Sequence, residues 1–495
     1  MKKIAKLLVL SLPFFVIACI PPRGGEPGPL VALGDSITMG IQDAGLLKDC
    51  QLNSYPYLIA QEMGAGSAFQ QPYATSPGIG VLPYKEPLKL QNGEIIQTLW
   101  NPLPTQSVLI SWIFSKLEKI SYPKPYNNLG VNGARLFDMR HTTSYSNSPD
   151  SNFFFDIVLR NSTPFPYPNF GGKTAVQEAL LLHPDFILLW IGNNDILGSV
   201  LVGCGKNGIL NGVPFAYTSM TDFQSEYRQL LTDLKSGSTA HIVISRIPAY
   251  LPFANGLDGV LRNTSLGPRL CIFDPRTLAP IDFDPGSAEL YIPLLLEETD
   301  ATHLLLTGAI AYITQGTGIP SVSDLVSMGY GSYTGVYNSV MTAHELTVPV
   351  DSGTLLTGDL TMTLGEETTA RGVIDGYNAI LASLGAEFGV PVVDIVQSWW
   401  GNGSETPVPF GGYSGAYALQ AQDTTTFSLD GVHPNNLGQA LTANAFIRVL
   451  NDQWGLGIPL LNPDNYKGQY SGKSIMPKSL KAVEHVKEML PLKKR

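Results

Sequence analysis

A serine that follows a short apolar run is the first residue of this chain with the setting of a nucleophile. Residues Leu30 to Leu33 read as a buried strand, and Gly34-Asp35-Ser36-Ile37 comes directly after it. A turn between a strand and a helix can present a serine hydroxyl to a bound substrate. Gly-Asp-Ser is also an ordinary turn and helix cap. The serine therefore needs partners elsewhere in the sequence.

Two glycine-containing loops can offer hydrogen-bond donors to a developing negative charge. The first is Asn128-Leu129-Gly130-Val131-Asn132-Gly133-Ala134, whose glycines would let a backbone N–H approach a substrate closely. The second is Gly192-Asn193-Asn194-Asp195, where an asparagine amide directly follows an apolar run. Taken alone, the first reads better as a simple turn and the second equally well as a polar strand cap.

A fourth segment, Asp430-Gly431-Val432-His433-Pro434-Asn435, places a carboxylate near an imidazole. Pro434 favours an extended conformation at His433 and so predicts a loop. That loop can fold back so that the carboxylate accepts from one imidazole nitrogen while the other faces a nucleophile. Asn436 is predicted to cap the next helix, with Gln439 in the capping-box position. A lone Asp-x-x-His is more often a surface pair.

Together, and in this order, the four segments resemble the SGNH, or GDSL, hydrolase family. The resemblance implies that Ser36 is the nucleophile, His433 the general base and acid, and Asp430 the residue that orients it. It also implies an oxyanion hole built from the N–H groups of Ser36 and Gly133 and the amide of Asn194. The sequence departs from the family in having Ile37 where leucine is usual, a side chain that touches no reacting atom.

The elements that must hold these segments alternate between helices and apolar strands. The predicted pairs are Thr174–Leu182 with Phe186–Ile191, Phe223–Leu234 with His241–Ser245, and Val373–Phe388 with Val390–Ile395. This pattern predicts an α/β fold of three layers, α/β/α, with a mostly parallel central sheet. By the resemblance it is flavodoxin-like. Ser36 and Asn194 then lie just past the carboxyl ends of strands, where active sites of such folds form.

One discontinuous domain is predicted over residues 30–455, with a large insertion at about 249–370. The insertion is rich in Gly, Pro, Ser and Thr and contains the apolar stretches Leu290–Leu296 and His303–Ile313. These stretches could line a groove for an acyl chain, although core packing within the insertion is the commoner role. Residues 456–495 are interpreted as a basic C-terminal tail.

The N-terminus has the pattern of an export signal. A basic start precedes an apolar run from Leu7 to Ala18 that is too short to span a bilayer comfortably, which predicts a signal peptide over residues 1–18. Val16-Ile17-Ala18-Cys19 resembles a lipobox, which implies acylation of Cys19 and a tether over residues 19–29. We expect an exported lipoprotein at the outer membrane or cell surface.

The net charge argues against one class of binding partner, and the number of cysteines limits the possible disulfides. The formal net charge of −10 predicts no nucleic-acid binding. If Cys19 is acylated, Cys50, Cys204 and Cys271 allow one disulfide, with a weak preference for Cys204–Cys271. No zinc-hydrolase motif is complete, since Val348 stands where the second histidine after His344-Glu345 would be. No metal or organic cofactor is expected, and the chain is expected to be a monomer.

The predicted reaction is hydrolysis of carboxylic esters of a lipid or an acylated small molecule through an acyl-enzyme on Ser36. Two alternatives stay open at this point. One is removal of O-acetyl groups from a polysaccharide, an activity that the family resemblance also allows. The other is a lipid-anchored binding protein that keeps the fold without turnover.

Overall fold

The structure is a computed structural model that describes most of the chain between residues 29 and 466. The described residues are 29–91, 94–96, 98–149, 151–161, 163, 167–200, 209–210, 213–214, 217–248, 261–264, 267–273, 280–281, 291–297, 302–305, 313, 316–343, 347–395, 428, 430 and 432–466.

Strands and helices are numbered here in chain order. The strands are β1 (Leu30–Gly34), β2 (Gly45–Leu46), β3 (Ile79–Gly80), β4 (Lys89–Gln91), β5 (Glu94–Ile96), β6 (Asn128–Gly130), β7 (Phe186–Trp190), β8 (Ile209–Leu210), β9 (Val213–Pro214), β10 (His241–Ser245), β11 (Leu261–Thr264), β12 (Gly267–Phe273), β13 (Pro280–Ile281), β14 (Tyr291–Pro293), β15 (Thr302–Leu305), β16 (Thr361–Thr363) and β17 (Val392–Val393). The α-helices are α1 (Ser36–Met39), α2 (Lys48–Gln51), α3 (Tyr55–Glu62), α4 (Gln106–Lys116), α5 (Asp138–His141), α6 (Phe154–Val158), α7 (Ala175–Leu181), α8 (Asn194–Val200), α9 (Met220–Gly237), α10 (Val322–Ser327), α11 (Thr334–Ala343), α12 (Leu364–Phe388) and α13 (Asn436–Trp454). Single 3₁₀ turns lie at Tyr145–Asn147, Gly331–Tyr333, Gly358–Leu360 and Pro463–Tyr466.

Five parallel strands form the central sheet in the order β17-β10-β7-β1-β6. Counted along the chain, this is the 2-1-3-4-5 order of flavodoxin-like sheets. The prediction of a three-layer α/β/α fold with a parallel sheet is therefore confirmed. After β1 the chain adds β6 on one side of that strand, and it then crosses over to add β7, β10 and β17 on the other side. Such a reversal of strand order leaves a crevice at the carboxyl ends of β1 and β7.

Alternating side chains of the strands build two separate cores, one on each face of the sheet. Val31 and Leu33 of β1 point to the first face, whereas Leu30 and Ala32 point to the second. Helices α7, α9 and α12 cover the first face, and α3 and α13 cover the second. Both faces of the sheet are covered by helices, and the strand sequences are therefore continuous apolar runs.

The boundaries of the predicted elements differ from the observed ones in three places. Helix α12 starts at Leu364, within the stretch predicted as insertion, because Thr363 and Glu366 form a capping box there. Strand β17 pairs only over Val392–Val393, which is shorter than the predicted Val390–Ile395. The cap of α13 is Asn435, whose side chain accepts from the Gly438 N–H, so the prediction of Asn436 as the cap is wrong.

The described elements between β10 and α12 form small units of their own. Strands β11 to β14 make an antiparallel sheet, and β15 pairs with β16. Leu294 and Leu296, from one of the two apolar stretches, are buried rather than exposed along a groove. The extent of the insertion and the other domain boundaries stay predictions.

Several sequence predictions lie outside the described residues. These are the signal segment, Cys19, the tether up to residue 28, Cys204, and the tail beyond residue 466. Cys50 is buried and unpaired, and the side chain of Cys271 is not among those described. Within the described ranges, no helix is both long and apolar enough to cross a membrane.

Glu178 on α7 is an ionisable residue placed where a charge is unfavourable. Its side chain is fully buried, and neither carboxylate oxygen has a hydrogen-bond partner in the described part of the chain. Burial raises the pKa of Glu178 to about 9, against the opposing charges of Arg160 and Lys173. The carboxyl group is therefore neutral in the folded protein at neutral pH.

Glu178→Gln is expected to stabilise the protein at pH 8 but not at low pH. Above its ordinary pKa of 4.5 the carboxyl ionises in the unfolded chain only, so folding stability is lost as pH rises from about 4.5 towards about 9. Glutamine cannot ionise, so the gain at pH 8 should exceed the gain at pH 5 by up to about 4 kcal/mol, at about 1.4 kcal/mol for each pH unit between them. Urea unfolding at pH 5 and pH 8, with exposed Asp452→Asn as control, measures it. An equal gain at both pH values would contradict the neutral carboxyl.

Candidate active site

Three neighbouring strands end at the same level and deliver three of the predicted segments. Gly34 of β1 is aligned with Trp190 of β7 on one side and with Gly130 of β6 on the other. The chain after each strand therefore begins at one edge of the sheet. This edge carries Ser36, the loop with Asn194 and the loop with Gly133.

The turn that carries Ser36 is fixed by its two preceding residues. A Cβ at Gly34 would lie 2.4 Å from the carbonyl oxygen of Trp190, so only glycine fits between β1 and its neighbour. Asp35 caps α1, because its Oδ1 accepts from the Ile37 N–H at 3.0 Å. Ser36 is the first helical residue and is 6% exposed. Its backbone N–H has no acceptor among the described residues.

Asp35 also joins the turn that carries Ser36 to the segment that contains Asn193 and Asn194. Its Oδ2 accepts from the side-chain amide of Asn193 at 2.7 Å. Burial raises the pKa of Asp35 to about 6, although the bonds from Asn193 and Ile37 and the charge of His433 act in the opposite direction. Above that pH the carboxylate accepts from both donors, so Ser36 and the residue next to Asn194 are held in one network.

The two loops predicted to hold an oxyanion contact each other. Asn194 Nδ2 donates to the carbonyl of Ala134 at 2.9 Å, and the amide has a second N–H for another acceptor. Gly133 has a φ of +75°, a left-handed conformation that glycine adopts without strain. The Gly133 N–H donates to no acceptor in the described ranges. Three donors on adjacent segments are thus free to bind a substrate oxygen.

Asp430 and His433 form the bond that their spacing predicts. His433 Nδ1 lies 2.8 Å from Asp430 Oδ2, and the two side chains are 13% and 9% exposed. Asp430 Oδ1 accepts from the backbone N–H groups of Val432 and His433, both at 2.9 Å. This leaves Nε2 as the imidazole nitrogen that can face a nucleophile.

The charges of the pair shift both pKa values. Burial alone would raise the pKa of Asp430, but the His433 imidazole and the hydrogen bonds to the carboxylate outweigh it, so the pKa falls well below its usual range. Burial lowers the pKa of His433, but attraction to Asp430 outweighs it, with smaller contributions from Asp35 and Asp43, and the net pKa is raised.

A tight turn that the sequence did not indicate binds the carboxylate of Asp430. Residues Gln42 to Gly45 are joined by reciprocal backbone hydrogen bonds, and Asp43 and Ala44 both have a φ of +54°. This is a two-residue hairpin turn of the kind that usually contains glycine or asparagine. Ala44 N donates to Asp430 Oδ2 at 2.6 Å, and Asp43 N donates to Ser428 Oγ at 2.9 Å. The strained turn therefore positions the loop that carries Asp430 and His433.

Helix α13 is hydrogen-bonded directly to the turn that carries Ser36. Gln439 does not form the predicted capping box; its Nε2 donates to Ile37 O at 3.1 Å and its Oε1 accepts from Tyr55 N at 2.9 Å. Asn436 accepts from the side chain of Gln42 at 2.8 Å. Because α13 begins just after His433, these bonds fix the imidazole relative to Ser36.

The structure thus brings all the described candidate residues to one edge of the sheet. No hydrogen bond joins Ser36 Oγ to His433 within the described part of the chain. Such bonds are often long in ligand-free sites and shorten when substrate binds. Sequence reasoning missed Asp43, Ala44 and Gln439, because their roles come from contacts between distant segments.

Comparison with known proteins gives matches at the level of structure only. No protein-family model matches the chain, and no curated protein matches its sequence. An acetyl xylan esterase from Geobacillus stearothermophilus is 12% identical, with 88% of this chain and 100% of that chain covered and a TM-score of 0.30. An alpha/beta hydrolase enzyme from the metagenome of Lake Arreo, Spain, is 11% identical, covering 85% and 93%, with a TM-score of 0.30. A lipase/acylhydrolase from Enterococcus faecalis is 10% identical, covering 88% and 98%, with a TM-score of 0.29.

At identities of 10–12% and TM-scores of 0.29–0.30, these similarities carry no conclusion about what this chain binds or catalyses. The chemistry of the site follows from its own residues.

Proposed function

We propose that the protein is a serine ester hydrolase of the SGNH, or GDSL, type, in which Ser36, His433 and Asp430 form the catalytic triad. The observation that carries the proposal is the hydrogen-bonded His433–Asp430 pair, on the segment that Gln439 joins to Ile37 next to Ser36. An acid–imidazole pair beside a serine at the edge of the sheet is the arrangement that nucleophilic acyl transfer requires.

The reaction would proceed in two acyl transfers. His433 Nε2 takes the proton of the Ser36 hydroxyl as Oγ forms a bond to the ester carbonyl carbon. The negative charge on the carbonyl oxygen is stabilised by the N–H groups of Ser36 and Gly133 and by the Asn194 amide. When the tetrahedral intermediate collapses, His433 gives the proton to the leaving alcohol. Water then repeats the sequence, which releases the acid and regenerates Ser36.

The raised pKa of His433 sets the expected pH dependence. The base must be neutral to accept the Ser36 proton, so kcat/KM should fall on acidification through a pKa above the ordinary 6.5. Asp430 stays ionised throughout this range because its pKa is lowered.

The proposal is tested by ester hydrolysis together with covalent labelling. The purified full chain should hydrolyse p-nitrophenyl acetate and react with a fluorophosphonate in one-to-one stoichiometry. Peptide mapping should place the adduct on Ser36. If the protein neither hydrolyses the ester nor takes up the label, the proposal is overturned in favour of a binding protein without turnover. A label on a different serine would overturn the assignment of the nucleophile.

The substrate class follows from a second comparison of rates. p-Nitrophenyl esters from acetate to palmitate, assayed beside acetylated xylan, separate a lipid esterase from a polysaccharide O-deacetylase. We propose a carboxylic ester of a lipid or an acylated small molecule, supported by the resemblance of the four motif segments to ester hydrolases. A strong preference for the acetylated polysaccharide would contradict this choice.

We also propose that the protein is exported and anchored by an acyl group on Cys19, on the basis of the apolar run and the lipobox-like sequence before it. Cys19→Ala is expected to move the protein from the membrane fraction to the soluble fraction without changing its esterase activity. Fractionation with immunoblotting measures the shift, and Cys50→Ala is the control. Equal membrane recovery of Cys19→Ala and the unchanged protein would disprove the anchor.

A further inference from the structure

We infer that Asn152 is a positioning residue for the oxyanion hole, acting through the peptide unit that joins Asn132 to Gly133. The inference rests on the proposed ester hydrolysis and adds a residue that does not itself touch the substrate.

The key contact is a hydrogen bond to the back of the proposed donor. Asn152 Nδ2 donates to the carbonyl oxygen of Asn132 at 2.5 Å. In a trans peptide unit the C=O and the following N–H point in opposite directions. When Asn152 holds the Asn132 carbonyl on one side, the Gly133 N–H is directed to the other side. That N–H has no acceptor within the described residues, so it is left for a ligand.

The loop has a particular need for such a restraint. Gly133 has a φ of +75°, and glycine has the widest choice of backbone conformations of any residue. The rest of the turn is held by the Val131 N–H to Gly34 O, by the Ala134 N–H to Val131 O and by Asn194 to Ala134 O, and none of these bonds is made by the Asn132–Gly133 peptide unit. Without Asn152 the Asn132–Gly133 peptide could rotate, and the oxyanion hole would lose a preorganised donor.

Asn152 is itself rigidly placed. Its backbone N–H donates to Ser148 Oγ at 3.2 Å, and its Oδ1 accepts from Phe154 N at 3.0 Å at the start of α6. Phe154 and the residues that follow it are buried in the first core. The amide therefore has one oxygen fixed by the scaffold and one nitrogen directed at the Asn132 carbonyl, as a support for a donor requires.

Asn152→Asp is the informative variant, because it keeps the oxygen that accepts from Phe154 N and replaces the donor to Asn132 with a carboxylate oxygen that cannot donate. We expect kcat on p-nitrophenyl acetate to fall about tenfold with KM within twofold, which is less than the 10²–10³-fold typical of deleting a donor outright. The inhibition constant of an alkyl trifluoromethyl ketone, whose adduct on Ser36 places an oxyanion in the hole, should rise by about the same factor.

The control is Asn147→Asp. Asn147 makes the same kind of contacts nearby, donating to His141 O and accepting from Ser144 N, but lies outside the oxyanion loop. It should change neither kcat nor ketone binding. The added charge of Asn152→Asp would move the acid limb of the pH–rate profile, whereas loss of orientation lowers the plateau.

Three results would overturn the inference: an unchanged kcat in Asn152→Asp, a lower kcat with unchanged ketone affinity, or equal losses in the Asn147→Asp control. An unchanged protein that is inert towards the ester and the fluorophosphonate would instead overturn the proposed function, and the role of Asn152 with it. The two failures are therefore distinguishable.

Discussion

Ser36→Ala is expected to lower kcat/KM on p-nitrophenyl acetate by about 10⁴-fold or more and to abolish fluorophosphonate labelling. Alanine removes the oxygen that forms the acyl-enzyme, and what activity is left must come from the oxyanion donors and from binding alone. Stopped assays at high enzyme concentration, with the product resolved by chromatography, measure the residual rate.

Folding should be unaffected by this substitution. The Ser36 hydroxyl makes no hydrogen bond in the described part of the chain, so its loss leaves no buried partner unsatisfied. The free energy of unfolding should stay within about 0.5 kcal/mol. Ser115→Ala, an exposed serine on α4, is the matched control and should retain full activity. A Ser36→Ala protein that is folded and turns over normally would rule out the triad.

Asp430→Asn is expected to lower kcat by about 10⁴-fold and to move the acid limb of the pH–rate profile to lower pH. The carboxylate raises the pKa of His433, and once it is gone the burial that lowers that pKa prevails. An amide opposite Nδ1 also favours the wrong imidazole tautomer, as in other triads. A full pH–rate profile separates the two effects, since the first moves the limb and the second lowers the plateau.

Stability must be measured alongside, because Asp430 has structural partners as well. Its two oxygens accept from the N–H groups of Ala44, Val432 and His433, and an asparagine NH₂ group in either orientation faces at least one of these donors. Some loss of folding free energy is therefore expected. The exposed Asp49→Asn is the control for charge alone. An acid limb that stays in place in folded Asp430→Asn would mean that another group governs the pKa of His433.

The sheet could be predicted from the sequence because its signal is local. The apolar runs that form β7 and β10 are buried on both faces and do not alternate with polar residues. In the helices, apolar residues recur every three to four positions. The limits of prediction lie at the ends of elements. The early start of α12 depends on a capping box formed by Thr363 and Glu366, within the stretch read as insertion.

The candidate site could be predicted in its reacting residues but not in its supports. Ser36, Asp430 and His433 stand in short motifs, and their chemistry follows from residue type. The supports are made by contacts between segments hundreds of positions apart, such as Ala44 with Asp430 and Gln439 with Ile37. Gln439 fits a capping box by spacing alone, because it stands three residues after the predicted cap. Only the fold shows that its amide bonds instead to Tyr55 of α3 and Ile37 of α1.

The attachment of α13 separates the machinery of the reaction from the part of the chain that can vary. The segment that follows His433 is held by bonds that join Gln439 to Ile37 and Tyr55 and Asn436 to Gln42, and none of these bonds involves the residues between β10 and α12. That intervening stretch can lengthen, shorten or exchange its elements while Ser36 and His433 keep their relative places. In the proposed ester hydrolase, insertion and deletion in this stretch would therefore alter substrate preference with little effect on the reaction itself.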